Sequence, residues 1–470
     1  MEEKNRSSFS SQIGFILAAA GSAVGLGNLW RFPYLAAKDG GGLFLLIYLI
    51  LAVTFGFTML TTEVAIGRKT RQGPLTAYKY IDKRFSFIGI FSWLVPIMIL
   101  PYYSVIGGWV FKYMTVYLSG QGDAAAEDGY FSSFITGSLG GVWEPMVFMI
   151  VFLALTAVVI FLGVDKGIER VSKVLMPILV VLILGISVFS LTLSNTDAEG
   201  IVRTGLQGLK IYVVPSFEGV TLSGFLQIVM DAMGQLFFSI SVAMGIMVAY
   251  GSYVPKETNM MKSINQIEIF DTGVAFLAGL MIVPAIFVFA GVDGMSAGPG
   301  LMFIALPKVF SAMGTLGKVL GVVFFVIVAV AALTSCVSIM EAIVSSVIDH
   351  FGLSRKAATI IVTFGALVIA TVVNLGYNVW YFELPLPNGS TGQILDILDY
   401  LSNSVFMPLV AILTCILIGW FAGPKTVIDE VSSNGLYKFG REKLYIVMVK
   451  FVAPVLLFIL LLQAFGVSFG

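Results

Sequence analysis

The sequence predicts an all-α polytopic membrane protein. Two five-helix halves form an inverted repeat with broken helices 1 and 6, and one extra helix brings the total to eleven transmembrane helices. Three observations carry this reading. Of 470 residues, 58% are hydrophobic and only 11% charged, with a mean hydropathy of +0.97, whereas a soluble domain carries about 25% charged residues. Apolar runs of spanning length, ~20 residues each, recur from end to end. Two of these runs, the first and the sixth, are interrupted by glycines and polar residues at corresponding places in the two halves.

The boundaries follow from where charge returns. The first helix, 12–36, begins where polar Met1–Gln12 gives way to Ile-Gly-Phe-Ile-Leu. No A-x-A-like cleavage signal accompanies it, so an uncleaved first span is expected. The second, 42–66, ends before Arg68, Lys69 and Arg71. The third, 87–118, lies between Lys83-Arg84 and an acidic loop, 120–141. The fourth and fifth, 144–163 and 168–193, flank a connection with Lys166, Arg170 and Lys173. After an extracellular loop at 194–220, the sixth, 221–250, and seventh, 265–291, flank Lys256 and Lys262. The eighth, 314–350, and ninth, 355–374, meet at Arg355 and Lys356. The tenth, 392–421, and eleventh, 443–466, are joined by a loop, 422–442, that carries Lys425, Lys438 and Arg441. The repeats are thus 12–193 and 221–421, preceded by a cytoplasmic segment 1–11 and followed by the extra helix in 443–470. With Lys4 and Arg6, 19 of the 27 basic residues fall on one side. The positive-inside rule makes that side cytoplasmic and puts Gly470 outside; the plasma (inner) membrane is the expected location.

The first interruption is Gly21-Ser22-Ala23-Val24-Gly25-Leu26-Gly27-Asn28, closing on Arg31 and Pro33. Each glycine costs a helix about 1 kcal/mol relative to Ala, so the backbone is invited to unwind. Unwound backbone at membrane depth survives only where it lines a cavity or is buried in protein. Close helix packing on small residues is the competing reading. The second interruption, Gly234-Gln235-Leu236-Phe237-Phe238-Ser239-Ile240-Ser241-Val242-Ala243-Met244-Gly245, tips the balance, because paired breaks point to a secondary transporter with its site at the midplane. Half-helix N-termini offer N–H groups to an anion, and C-terminal carbonyls attract cations.

Other polar residues at membrane depth fit the same picture. Asp271 lies in the seventh helix, where an ionisable group costs ~2.5 kcal/mol or more near the centre. Its competing reading is an acid near the cytoplasmic interface. Thr334-Ser335 and Tyr102-Tyr103 are weaker signals on their own, since hydroxyls commonly bond back to their own helix. Glu63 and Glu341 read as structurally paired acids. Net charge is zero, so no nucleic-acid partner is suggested. Two cysteines, Cys336 and Cys415, and a single His350 leave no disulfide framework, metal cluster or nucleophile–base pair, and therefore no enzyme.

The runs GSAVGLGNLWRFPYLAAKDGGG, PYYSVIGGW, GQLFFSISVAMG and AALTSCVSIM resemble the neurotransmitter:sodium symporter (NSS) family, in particular its bacterial LeuT-like amino-acid transporters, over about Gln12 to Trp420. The resemblance implies the LeuT fold and two sodium sites. The first would use Ala23, Asn28, Ser239 and Asp271; the second Gly21, Val24, Ala331, Thr334 and Ser335, all oxygen donors suited to a hard cation. It also implies that the substrate carboxylate meets Leu26, Gly27 and Tyr103, and that its amino group meets Ala23, Phe238, Ser239 and Ser241. The substrate side chain would lie against Ile99, Tyr103, Phe238, Met244 and Ile339, with Ala243 narrowing the turn. Arg31 and Asp399 would close the outer side, with Asp396 as the rival acid. Arg6 and Asp349, with Phe9 and Tyr253, would close the inner side. Gly167 and Pro177 match a spacing the family uses to unwind the inner end of the fifth helix.

Two departures from the family pattern matter. Asp271 stands where the bacterial leucine transporter has an Asn ligand, so chloride independence is expected, with proton counter-transport on Asp271 as an added expectation. Ala243-Met244-Gly245 replaces Gly-Phe-Gly, and Met adapts to varied shapes. With no acidic contact in the pocket, a hydrophobic L-amino acid, aliphatic or aromatic, is the expected substrate. The expectation is a sodium-coupled symporter working by alternating access, in the lipid bilayer, as a monomer or weak dimer. A non-transporting amino-acid sensor on the same fold is the alternative.

Overall fold

The computed structural model describes residues 8–196, 200–218, 220–291, 294–295, 298–433 and 435–467. Helices α1 (Gln12–Ala23) and α2 (Leu26–Lys38) form one crossing bent by 55°. Among the described residues, nine further helices are long and apolar enough to span a bilayer. The first four are α3 (Gly42–Thr70), α4 (Lys83–Leu118), α5 (Trp143–Phe161) and α6 (Val164–Leu191). Next in the chain, α7 (Leu222–Ser239) and α8 (Ile246–Ser252) flank a non-helical stretch, 240–245. The other five spans are α9 (Met260–Ala290), α10 (Thr315–Phe351), α11 (Arg355–Leu375), α12 (Ile394–Phe421) and α13 (Glu442–Ala464). The sixth helix, expected over 221–250 with a break, is two pieces separated at 240–245. The expected eleventh crossing rests on reading α7 and α8 as one span.

The ends of the broken helices are chemically satisfied. Ser11 caps α1 by accepting the Gly14 N–H at 3.0 Å. Asn28 Oδ1 accepts the Gly25 N–H at 3.3 Å and closes the first turn of α2. Between the two helices Val24 and Gly25 are extended, with φ/ψ of −77/91 and −124/−165. In the second break Ser241 (φ 53) and Ala243 (φ 61) are left-handed, as is Gly245 (φ 72). For residues with a Cβ this costs roughly 1–2 kcal/mol each, so the surroundings must hold the turn in place.

The broken helices sit at the centre of the bundle. α1 packs against α6, α9 and α10; α2 against α7 and α9; α8 against α3 and α10. The long α10 also packs along α4, completing the wall opposite. Several spans carry π-helical turns, among them Ala52–Gly56 in α3. A π-turn frees carbonyls from the i→i−4 ladder, and the Val53 carbonyl accepts Arg441 Nη1 at 3.0 Å. Beyond the spans, a short helix at Leu301–Ala312 was not expected from the sequence. It is held by Tyr113, whose hydroxyl donates to the Phe303 carbonyl at 2.9 Å, and by Phe131 stacked on Phe303 at 4.9 Å.

Candidate functional site

The two breaks face each other and are bonded together. Ser241 Oγ donates to the Ser22 carbonyl at 3.0 Å, and Ser22 Oγ donates to Ser241 Oγ at 3.0 Å. Gln235 Nε2 donates to the Gly27 carbonyl at 3.2 Å. Fully buried Glu63, on α3, accepts the Ala243 N–H at 2.5 Å. This bond braces the left-handed turn from outside, and it accounts for an acid that the sequence marks only as paired.

Two oxygen clusters lie on either side of the first break. In one, Asp271 Oδ1 accepts from Ser239 Oγ at 2.8 Å and from Asn28 Nδ2 at 3.1 Å. All three side chains are buried, and Asp271 Oδ2 has no partner among the described residues. In the other, Ser335 Oγ lies 3.4 Å from the Gly21 carbonyl oxygen, 3.1 Å from that of Ser22 and 3.4 Å from that of Val24. Neighbouring Thr334 Oγ1 bonds to the carbonyls of Val330 (3.0 Å) and Ala331 (3.2 Å). The Gly21, Ser22 and Val24 carbonyls lie at the C-terminal, partially negative end of α1, where a cation is favoured.

Between the clusters is a cavity with one polar and one apolar side. Ser22, Ala23, Gly25, Gly27, Asn28, Ser239, Ser241 and Ser335 line the polar side. Ile99, Tyr103, Phe238, Met244, Ile246 and Ile339 line the other. The Tyr103 hydroxyl is buried without a hydrogen-bond partner among the described residues. Phe238 lies across Gly27 so closely that a Cβ there would meet its Cδ1 at 2.8 Å. Of the residues expected around a substrate, Leu26 and Ala243 do not line the cavity. Ser22, Gly25 and Ile246 do, unforeseen; Ile246 directly follows the second break, and that adjacency was the signal available.

The expected closures are partly formed. On the outer side, Asp399 and Asp231 act on Arg31 through their charge, but neither makes an ion pair with it. Asp399 instead accepts from Asn403 Nδ2 at 2.6 Å, and the same nitrogen reaches the Tyr102 hydroxyl at 3.1 Å. The expected Arg31–Asp399 contact is thus not made, because the acid turns toward its own helix. Asp396 is occupied one turn away, accepting the Gln393 N–H at 3.0 Å. On the inner side, the Phe9 N–H donates to the Tyr253 carbonyl at 3.1 Å, and the Phe9 ring packs edge-on to Tyr250 and Tyr253. Tyr253 donates to Glu341 at 2.5 Å, and Arg355 holds that buried acid at 2.7 and 2.8 Å. Asp349 accepts the Gly73 N–H at 2.5 Å. Arg6 lies outside the described residues.

The end of α6 that carries Gly167 is helical and not unwound. Gly167 sits in a π-turn, Val164–Glu169, and Pro177 lies within the continuous helix Arg170–Ser190. Glu169 was missed by the sequence reading. It accepts from Ser10 N (2.7 Å), Ser10 Oγ (2.6 Å) and Ser11 Oγ (2.9 Å), tying the N-terminal approach to this turn.

Comparison with known proteins agrees with this architecture. Residues 6–122 and 133–468 match the model of the Sodium:neurotransmitter symporter family. The chain is 33% identical over 475 residues to the uncharacterized sodium-dependent transporter YhdH of Bacillus subtilis (strain 168), covering 99% of both proteins. It is 30% identical over 470 residues to the uncharacterized sodium-dependent transporter MJ1319 of Methanocaldococcus jannaschii, covering 97% of this chain and 90% of that protein. The human sodium- and chloride-dependent GABA transporter 2 is 27% identical over 474 residues, covering 91% of this chain and 75% of that protein. The fold superposes on the crystal structure of MhsT in complex with L-phenylalanine with a TM-score of 0.83 and 32% identity, covering 98% of this chain and 100% of that one. The chain therefore has the LeuT fold and belongs to the sodium:neurotransmitter symporter family, a family of sodium-dependent transporters.

Proposed function

We propose that this chain is a sodium-coupled symporter that imports a hydrophobic L-amino acid by alternating access and needs no chloride. The observation that carries the reading is the cavity between the two breaks, lined by Tyr103 and by the Asn28 and Ser239 that bond Asp271; the Tyr103 hydroxyl and Asp271 Oδ2 are both buried without partners among the described residues. Buried polar atoms left unpaired are costly, and a bound substrate and cation would satisfy both. Asn28, Ser239 and Asp271, with the Ala23 carbonyl and the substrate carboxylate, would hold one sodium. Thr334, Ser335 and the carbonyls of Gly21, Val24 and Ala331 would hold the other. The substrate carboxylate would meet Tyr103 and the N–H groups of Leu26 and Gly27 at the positive end of α2, and its ammonium would meet Ser241 and the carbonyls at the breaks.

The apolar wall carries no acidic side chain, which disfavours cationic substrates; the phenylalanine named in the MhsT complex is consistent with that. The fixed charge of Asp271 supplies what chloride would otherwise supply beside the first sodium, and a proton on Asp271 during the return step would give counter-transport. Sodium must bind the outward-facing state more tightly than the inward-facing one, since only differential affinity can shift the equilibrium. We further propose a cytoplasmic N-terminus, an external C-terminus and a monomer or weak dimer in the plasma membrane. The test is competition of labelled phenylalanine binding by each common amino acid, in sodium or potassium, with chloride or gluconate. Sodium-dependent, chloride-indifferent displacement by apolar amino acids alone is expected. Displacement chiefly by charged or polar ones would refute the substrate class.

A further inference from the structure

On the outer, lipid-facing side of the bundle a second cavity of about 400 Å³ opens between the end of α5 and the first half of α11. Its walls are Val158, Phe161 and Leu162 on one side and Ile360, Phe364 and Leu367 on the other. The two threonines present, Thr359 and Thr363, turn their hydroxyls back to their own helix at 2.8 and 2.7 Å, so the groove surface is apolar. From Ile360 to Leu367 it runs about 10 Å along the helix axis, about two thirds of the ~15 Å hydrocarbon depth of one leaflet.

A lysine stands at one end of this groove. Lys356 Nζ lies 5.5 Å from the centre of the Phe161 ring. The residue is exposed and makes no ion pair among the described residues. Its neighbour Arg355 is fully engaged, with Nη1 on the Ile160 carbonyl at 3.3 Å and on Glu341 at 2.7 Å. No acidic side chain lines the groove. An apolar groove that ends in a lysine without an ion pair among the described residues, at the level where α11 begins, complements an acyl chain attached to a negative headgroup.

We propose that this groove binds one acyl chain of an anionic glycerophospholipid, whose phosphate sits against Lys356. The inference is independent of the substrate assignment and needs only that α5 and α11 span the bilayer. The experiment is native mass spectrometry of the full-length protein in detergent, offered equal amounts of phosphatidylglycerol and phosphatidylcholine with matched chains. The wild type should retain phosphatidylglycerol about fivefold better, the factor one lysine near an anionic headgroup supplies. Lys356→Gln should remove the preference and Lys356→Arg should keep it, while Thr363→Trp, which fills the groove, should lower retention of both lipids. Equal retention by the wild type, or an undiminished preference in Lys356→Gln, overturns the proposal. So does a Thr363→Trp variant that loses a dimer yet keeps its lipid, since that would make the groove a contact between two copies.

Discussion

Replacing Asp271 with Asn tests the electrostatic core of the site while leaving its shape nearly unchanged. The amide oxygen can still accept from Ser239 Oγ and Asn28 Nδ2, which now donate to Oδ1 at 2.8 and 3.1 Å. What disappears is one full negative charge in a fully buried position. At a separation of 4 Å and an effective dielectric near 20, that charge attracts sodium by about 4 kcal/mol. Each 1.4 kcal/mol is a factor of ten in affinity, and the remaining dipoles recover part of the loss. We expect the sodium concentration for half-maximal substrate binding in gluconate to rise by about a hundredfold or more, with partial recovery when chloride is added. The assay is a sodium titration of labelled amino-acid binding to purified wild type and Asp271→Asn, in each anion. An unchanged half-saturation in gluconate would refute both the sodium role of Asp271 and its role in place of chloride.

Three further perturbations probe the rest of the site and one buried acid outside it. Thr334→Ala combined with Ser335→Ala removes both hydroxyls from the cluster at the end of α1 and should abolish sodium-dependent binding; retention of wild-type sodium dependence would place the second site elsewhere. Gly27→Ala would put a methyl 2.8 Å from Phe238 Cδ1, so it should displace that ring and weaken substrate binding by about tenfold, a loss of about 1.4 kcal/mol, while a crystal structure shows the ring moved. Asp39, just beyond α2, is pushed up to about 6 by burial and by the nearby Asp231 carboxylate. Its folded value lies above its unfolded one, so its ionisation removes stability as pH rises from about 4 through 6. Asp39→Asn should abolish that part of the slope in thermal unfolding between pH 4 and 7; an identical slope in both proteins would contradict the assignment.

Much of this site could be read from residue type and position because its chemistry is expensive in a membrane. Glycines and hydroxyls at 21–28 and 234–245 mark backbone that a span cannot tolerate without purpose, and both stretches break where expected. A carboxylate at 271 has to meet polar partners, and it meets Asn28 and Ser239. The parts that stayed hidden depend on distances between elements remote in sequence. Nothing near Glu63 indicates that its carboxylate reaches the Ala243 N–H, nor anything near Glu169 that it gathers Ser10 and Ser11. The spacing before Tyr400 picks out Asp399 along its helix but cannot say that it turns toward Asn403 and away from Arg31. No local residue pattern announces the π-turns at 52–56 and 164–169, nor that the Val53 carbonyl in the first of them accepts from remote Arg441.

The central claim, coupled transport, is tested most directly by uptake into proteoliposomes containing this protein. Labelled phenylalanine or leucine is supplied outside with an inward sodium gradient, with potassium as the control and gluconate replacing chloride throughout. The account predicts accumulation above the external concentration with sodium, none with potassium, and collapse when the gradient is dissipated. Saturable sodium-dependent binding without accumulation would contradict it and make the protein a receptor for the same ligand.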